Sequence, residues 1–224
     1  MSARDEILAR IRSALNVTGA EAPRRMAVAE RLAQAPAGVV PARGQGDAAA
    51  RAATFKAEAE RAQASVAEIE SMADVPGEIA RFLRDANLPA TLRMGEDARL
   101  AAMPWSATAL EISGGPSDGH DLNAVSVAVA GIAESGTLAL ASGADNPTTL
   151  NFLPDNHFAV VAASDIVGDY ESVWRKLRAR YGKGVMPRTL NLITGPSRSA
   201  DIEQTLILGA HGPRRLHVIV VGEP

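Results

Sequence analysis

The chain has 224 residues, a formal net charge of −3, a hydrophobic content of 46% and an aromatic content of 4%. A weakly acidic chain with few aromatic rings lacks the clustered cations and stacking platforms that nucleic acids require, so nucleic acid is excluded as its main partner. The sequence contains no cysteine, which excludes disulfides and any zinc ion or iron–sulfur cluster bound through thiolates of this chain.

Hydropathy predicts a cytoplasmic protein without a membrane span. The first residues lack the apolar core of a signal peptide. No apolar run approaches the ~18 residues that a transmembrane helix needs. Residues 1–46 are predicted to be an N-terminal helix with an irregular linker, and residues 47–224 an α/β domain.

Three stretches set the predicted organisation of the first seventy residues. Residues 3–15 place their large apolar side chains on one helical face, which predicts a short amphipathic helix. Residues 18–46 contain repeated Gly and Pro with no sustained period, which indicates a linker with one helical turn around 26–34. Residues 47–72 are rich in Ala, Glu, Arg and Gln and contain neither Gly nor Pro, which predicts one long helix.

Strands and helices alternate through the rest of the chain. Further helices are predicted at residues 74–87, 169–181 and 199–207. Apolar runs predict strands at residues 91–94, 110–112, 125–129, 137–140, 158–162, 188–194 and 216–221. Apolar strands separated by helices indicate an α/β fold with a mainly parallel sheet flanked by helices.

Glu134 is the first candidate catalytic residue. It lies between two predicted strands, in the segment Ala133-Glu134-Ser135-Gly136-Thr137. A carboxylate at such a corner can act as a nucleophile or general base if burial or a partner tunes it. It can equally accept backbone hydrogen bonds in a tight turn, and the spacing alone leaves both interpretations open.

Two histidines are further candidates. His157 directly precedes a predicted buried strand, where it could serve as a general acid or base or donate to a bound carboxylate. His211 lies in a Gly-rich turn that lets the backbone come close to a ligand. Both could also simply bond loop carbonyls. No His-x-x-x-His or His-Glu-x-x-His spacing is present, so no metal site is predicted.

The segment 193–203 is predicted to run from a strand through a tight turn into a helix. Open α/β sheets place ligands at such positions. Gly195 permits the turn, while Ser197 and Ser199 can accept bonds from free amides of a helix start, next to Thr194. An anion could bind there, but Asp201 and Glu203 would occupy the first helical turn and already complement its dipole.

Four motifs, in this order, resemble the LUD domain and most closely the lactate utilization protein C family. They cover about residues 120–221 and read GIAESGTL at 131–138, LPDNH at 153–157, ITGPSRSADIE at 193–203, and LGAHGP at 208–213 followed by LHV at 216–218. The chain departs from the family at Ser135, where Thr is usual, and at residues 148–151, where an Arg is common.

This resemblance implies a fold similar to that of the ribose-5-phosphate isomerase, glucosamine-phosphate deaminase and CoA-transferase group. It implies a part in the oxidation of L-lactate to pyruvate by a three-protein system whose other members bind iron–sulfur clusters. Glu134-Ser135-Gly136 is similar to the Glu-x-Gly that carries the nucleophilic carboxylate of CoA-transferases. The implied pocket is formed by Glu134, Thr137, His157, Thr194, Ser197 and His211.

Three functions stay open at this point. The first is a cluster-free subunit of an iron–sulfur lactate utilization system, whose cofactors reside in partner proteins. The second is a stand-alone enzyme or ligand-binding module for a small carboxylate, thioester or sugar phosphate, with Glu134 as base or nucleophile. The third is a small-molecule sensor or assembly scaffold.

Overall fold

The computed structural model describes residues 2–199 and 207–222. The chain divides into two compact units, Met1–Val39 and Val40–Pro224. The domain boundary predicted between residues 46 and 47 stays a prediction. None of the described helices combines the length and the apolar character needed to cross a bilayer.

The first unit consists of two amphipathic helices. Helix α1, Ala3–Ala14, begins at a capping box in which Ser2 and Asp5 exchange hydrogen bonds, and it confirms the first predicted helix. Helix α2, Ala22–Gln34, is longer than the single turn predicted around 26–34. Its proline stands in the first turn, where no amide is needed, so the proline favours the helix and does not break it.

The second unit is built on a six-stranded sheet in which every neighbouring pair is parallel. Its order is β1-β12-β7-β4-β2-β3. The strands are β1 (Ser65–Ile69), β2 (Thr91–Met94), β3 (Glu111–Gly114), β4 (Asn123–Val127), β7 (Asn156–Ala162) and β12 (Arg215–Val221). Helices α3 (Ala48–Arg61), α4 (Val75–Asp85), α5 (Ala98–Ala101) and α6 (Tyr170–Tyr181) belong to the same unit. The predicted α/β class with a mainly parallel, helix-flanked sheet is confirmed.

A smaller sheet of order β8-β5-β6-β9 lies in the same unit. Its strands are β5 (Ala130–Ile132), β6 (Thr137–Ala141), β8 (Ile166–Val167) and β9 (Leu190–Ile193). Strand β6 is antiparallel to both β5 and β9. The prediction of a single strand at 125–129 was wrong in one respect. The buried segment leaves the large sheet at the end of β4 and joins the small sheet as β5.

The long helix predicted at 47–72 was also wrong. Helix α3 ends at Arg61, Gln63 adopts a left-handed φ of 71°, and the chain continues as the edge strand β1. Ala and Glu favour a helix locally, but Val66 and the other β1 residues pair with β12 through a register fixed by tertiary structure.

Alternating side chains of the central strands face two different layers. Phe158 and Val160 of β7 pack with Ile79 and Leu83 of α4. The intervening residues of β7 pack with Phe55 of α3 and with β6. On the far side of the small sheet, α6 covers β5 and β6. The central strands are therefore buried on both faces, which explains their continuous apolar sequence.

The helix predicted at residues 199–207 stays a prediction, because most of it lies outside the described part of the chain. Strands β10 (Arg198–Ser199) and β11 (Ile207–Leu208) pair antiparallel at its two ends. Residues 200–206, which include Asp201, lie outside the described part of the chain. The predicted capping of that helix by Ser197 and Ser199 stays a prediction for the same reason.

Candidate functional site

A cavity of about 240 Å³ lies where the two sheets of the second unit meet. It is bounded by the amino ends of β7 and β12, through His157 and Leu216, and by the carboxyl end of β9, through Ile193. The turn after β9 and the loop before β12 complete its wall. The turn predicted to follow a parallel strand thus follows a strand of the smaller, largely antiparallel sheet.

His157 is the buried histidine of this cavity. It sits in β7 between Ala124 of β4 and Leu216 of β12, and it is 1% exposed. Its Nε2 lies 2.6 Å from the hydroxyl of Ser126, which in turn donates to Oδ1 of Asn151 at 2.8 Å. Burial lowers the pKa of His157 to about 4, so the ring is neutral at pH 7.

Two nitrogens of this network are unsatisfied. Within residues 2–199 and 207–222, neither Nδ1 of His157 nor Nδ2 of Asn151 has a hydrogen-bond partner, although both atoms are buried. Both residues line the cavity. Buried polar groups are almost always paired, so these two nitrogens mark an incomplete polar network beside the cavity.

The open side of the cavity carries the permanent positive charge of Arg198. Arg198 and His211 are both exposed and both line it. The Oγ of Ser197 accepts a hydrogen bond from the backbone amide of His211 at 3.2 Å, and the Ser197 amide donates to the carbonyl of Pro213 at 2.8 Å. These bonds join the turn after β9 to the loop before β12, so Ser197 holds the cavity rim together.

Gly195 makes the turn possible. Its φ is +70°, and a Cβ at this position would lie 2.1 Å from the carbonyl oxygen of Ala62, at the end of α3. Any side chain would therefore clash as well as strain the backbone. The glycine that was singled out from the sequence does line the cavity, whereas Ser199 lies in β10 and is not among the lining residues.

Glu134 lies elsewhere. It is 6% exposed, its Oε1 accepts a hydrogen bond from the Tyr170 amide at 3.2 Å, and it does not line the cavity. Tyr170 is the first residue of α6, where free amides and the helix dipole favour a carboxylate. The structure thus brings His157, Gly195, Ser197 and His211 to one cavity and gives Glu134 a contact with a helix start. Its predicted role as base or nucleophile stays a prediction.

A hydroxyl cluster connects the Glu134 segment to the turn. Thr137 Oγ1 lies 2.7 Å from Ser135 Oγ, 3.0 Å from the Tyr170 hydroxyl and 2.6 Å from Thr194 Oγ1. Thr137 is fully buried. The cluster therefore links β6 and α6 to the residue immediately before Gly195. Neither Thr137 nor Thr194 lines the cavity, so they can support its wall without touching a ligand held inside.

Sequence reasoning missed Ser126, Asn151 and Tyr170 as members of these networks. Ser126 had a usable signal, since a serine inside an otherwise apolar buried strand must find a partner. Asn151 closes the short 3₁₀ turn Thr148–Asn151, and nothing in a turn-rich sequence marks which amide faces inward. Tyr170 lay inside the predicted helix 169–181 and was not singled out.

A second polar network attaches α4 to β12 outside the cavity. The Nδ1 of His217 lies 2.8 Å from Ser65 Oγ, and its Nε2 lies 3.0 Å from Oε1 of Glu78. Neither His217 nor Ser65 lines the cavity. In the part of the chain that the structure describes, no group of three or more His, Asp or Glu residues could hold a metal ion.

Fold and cavity together define an α/β protein with a small cavity at the junction of a parallel and a mixed sheet. Residues 123–221 match the family model of the LUD domain. The matched stretch runs from β4 to β12 and contains every residue that lines the cavity. The resemblance predicted from the four motifs is confirmed.

Curated relatives share about two fifths of their length with the chain. Lactate utilization protein C of Geobacillus sp. (strain WCH70) is 43% identical over 91 residues, which are 40% of this chain and 38% of that protein. Lactate utilization protein C of Bacillus subtilis (strain 168) is 40% identical over 93 residues, 41% and 39% of the two chains. Similarity to these proteins is thus local.

One solved structure is similar over a longer stretch. It is the crystal structure of a DUF162 family protein from Deinococcus radiodurans, with 26% sequence identity and a TM-score of 0.60. The match covers 80% of this chain and the whole of the other. The similarity of fold therefore extends well beyond residues 123–221.

Proposed function

We propose that this protein takes part in lactate utilization and that its cavity binds a small carboxylate. The observation that carries the proposal is the cavity itself, which combines two unpaired buried nitrogens with the exposed Arg198. The names of the relatives supply the metabolic setting. The volume of about 240 Å³ suits a small ligand and not a nucleotide.

Chemistry of the wall supports an acid as the ligand. The Asn151 amide nitrogen is a hydrogen-bond donor, and Arg198 adds a permanent positive charge. In the described chain Arg198 is in no ion pair, so its charge is available to a carboxylate. This arrangement resembles the placement of a few polar groups in an otherwise apolar pocket that fixes the orientation of a ligand.

We further propose that the protein is a cytoplasmic subunit of an iron–sulfur system that oxidises L-lactate to pyruvate. Electron transfer needs a carrier, and a chain without cysteine offers no thiolate for a cluster. The clusters of the system would therefore reside in cysteine-rich partner proteins. Affinity purification of the full chain from lactate-grown native cells should recover such partners, identified by mass spectrometry and by iron content. Recovery of the protein without them would contradict this part of the proposal.

Binding of a small carboxylate can be tested with a charge-neutralising pair of variants. Isothermal titration calorimetry with L-lactate should detect binding to the wild type. Arg198→Gln should weaken it by about 1 kcal/mol, roughly fivefold, because the ion pair is near the surface. Arg214→Gln is the matched control, since Arg214 is exposed, lies 3.8 Å from Asp155 and does not line the cavity. Equal weakening by both variants would point to a net-charge effect and contradict the site.

Catalysis by Glu134 remains the alternative. Its carboxylate already accepts the first amide of α6 and lies outside the cavity lining. Glu134→Gln should therefore leave carboxylate binding unchanged. Loss of turnover in that variant, with binding intact, would favour the enzyme hypothesis.

A further inference from the structure

The first unit of the chain has no interior of its own. It spans Met1–Val39, and neither α1 nor α2 contains a buried residue. Helices of 12 and 13 residues are marginal in water without tertiary packing. A unit of fewer than about 40 residues usually needs a disulfide, a metal or association to stay folded. Residues 1–39 contain neither cysteine nor histidine, which excludes a disulfide and leaves no sulfur or imidazole ligand for a structural zinc ion.

The apolar faces of the two helices stay exposed in the full chain. Six large apolar side chains are 49% to 71% exposed, namely Ile7, Ile11 and Leu15 at α1 and Met26, Val28 and Leu32 on α2. The three residues at α1 follow one another at intervals of four, which places them on one side of the helix. Since the exposures are those of the whole chain, nothing among the described residues covers these side chains.

We infer that this apolar surface of α1 and α2 is a self-association surface, and that its occupant is the first unit of a second copy of this chain. Six side chains at roughly 100 Å² each give roughly 600 Å² of apolar surface per chain. Two copies would together bury about 1,200 Å², which is the lower end of the range for specific, stable interfaces. Two-fold dimers are the commonest closed assembly of identical chains. This association does not depend on the proposed function of the cavity.

The composition of the first unit favours a second copy over a membrane surface. Residues 1–39 carry six arginines and four acidic residues, and they contain no lysine and no aromatic residue. Helices that lie on membranes have a polar face rich in Lys and Arg, and aromatic rings anchor many proteins at the lipid interface. Arg10 pairs with Glu6 at 2.9 Å, so part of the positive charge is balanced within α1. The excess of two positive charges is small, and salt screens it when two copies approach.

Sedimentation equilibrium of the full chain tests the self-association. The wild type should form a dimer with twice the chain mass of 23.4 kDa. Ile11→Glu/Leu32→Glu should raise the dissociation constant of the dimer by about 100-fold or more, because dimerisation would bury two unpaired carboxylates per chain. Val185→Glu/Met186→Glu is the matched control: it adds the same charge at two apolar residues of the second unit that are 53% and 54% exposed. This control should dimerise like the wild type.

Three results would overturn the inference. The first is a wild type that is monomeric at about 100 μM, whether or not it binds vesicles of anionic lipid or a cysteine-rich protein. The second is a dimer that Ile11→Glu/Leu32→Glu leaves intact, since its interface would lie elsewhere. The third is equal weakening by the control, which would indicate an effect of net charge. Fluorescence of Trp105 and Trp174, both in the second unit, checks that each variant keeps the fold of that unit.

Discussion

Acidification should destabilise this protein through His157. The ordinary pKa of the ring is 6.5, and burial lowers it to about 4 in the folded state. Between these values the unfolded chain binds a proton that the folded chain does not, so the free energy of unfolding falls as the pH falls. The loss begins near pH 6.5 and approaches about 3 kcal/mol at pH 4, at 1.36 kcal/mol for each pH unit between the two pKa values.

Urea unfolding followed by tryptophan fluorescence measures this loss. Carboxylates also titrate in the same range, so the informative quantity is the difference in unfolding free energy between wild type and His157→Gln. The variant has no titrating group at residue 157. The stability advantage of the wild type at pH 7.5 should therefore shrink by about 3 kcal/mol at pH 4.

His120→Gln is the control, because His120 lies in an exposed loop. This substitution should not reproduce the change of about 3 kcal/mol expected for His157→Gln between pH 7.5 and 4. A constant offset between the wild type and His157→Gln from pH 7.5 to 4 would refute the argument, since it would mean that the buried ring accepts its proton as readily as the unfolded one.

Three further substitutions test the supports of the cavity. Gly136 has a φ of +63°, and a Cβ there would lie 2.2 Å from the amide nitrogen of Ala59. Gly136→Ala should therefore lower the melting temperature far more than Gly115→Ala, because Gly115 has a φ of +97° but open space around it among the described residues. Equal losses would show that backbone strain alone matters. Thr137→Val removes the central hydroxyl of the cluster and should lower the free energy of unfolding, measured with denaturant, by about 1–3 kcal/mol. An unchanged unfolding midpoint would mean that the cluster does not contribute to stability. Glu134→Ala should cost about 1 kcal/mol by exposing the start of α6, with Glu134→Gln costing less because it keeps an acceptor; the reverse order, measured the same way, would contradict the capping role.

Sequence patterns predicted the central strands because these strands are buried on both faces, and such burial leaves a continuous apolar run. They failed where a local preference met a long-range pairing. The stretch after Arg61 has helical composition, yet β1 forms because β12 offers a parallel partner. Likewise, the pairing of Arg198–Ser199 with Ile207–Leu208 was not predicted.

The candidate site was only partly predictable. His157, Gly195, Ser197 and His211 were found because unusual residues stand at strand ends and in turns, and the fold brings such positions together. Glu134 was singled out by the same logic, yet its carboxylate faces a helix start. The direction of a side chain depends on packing between elements that are distant in sequence. A local sequence pattern does not contain that information.

The strand order has a consequence for synthesis of the chain on the ribosome. Strand β12 lies between β1 and β7, and Ser65 of β1 bonds a residue that follows it by 152 positions. Until residues 215–221 emerge, β1 has no neighbour and β7 has an open edge. Open edges of this kind pair readily with other chains. A requirement for chaperone protection during translation would therefore follow from topology, independently of how stable the finished protein is.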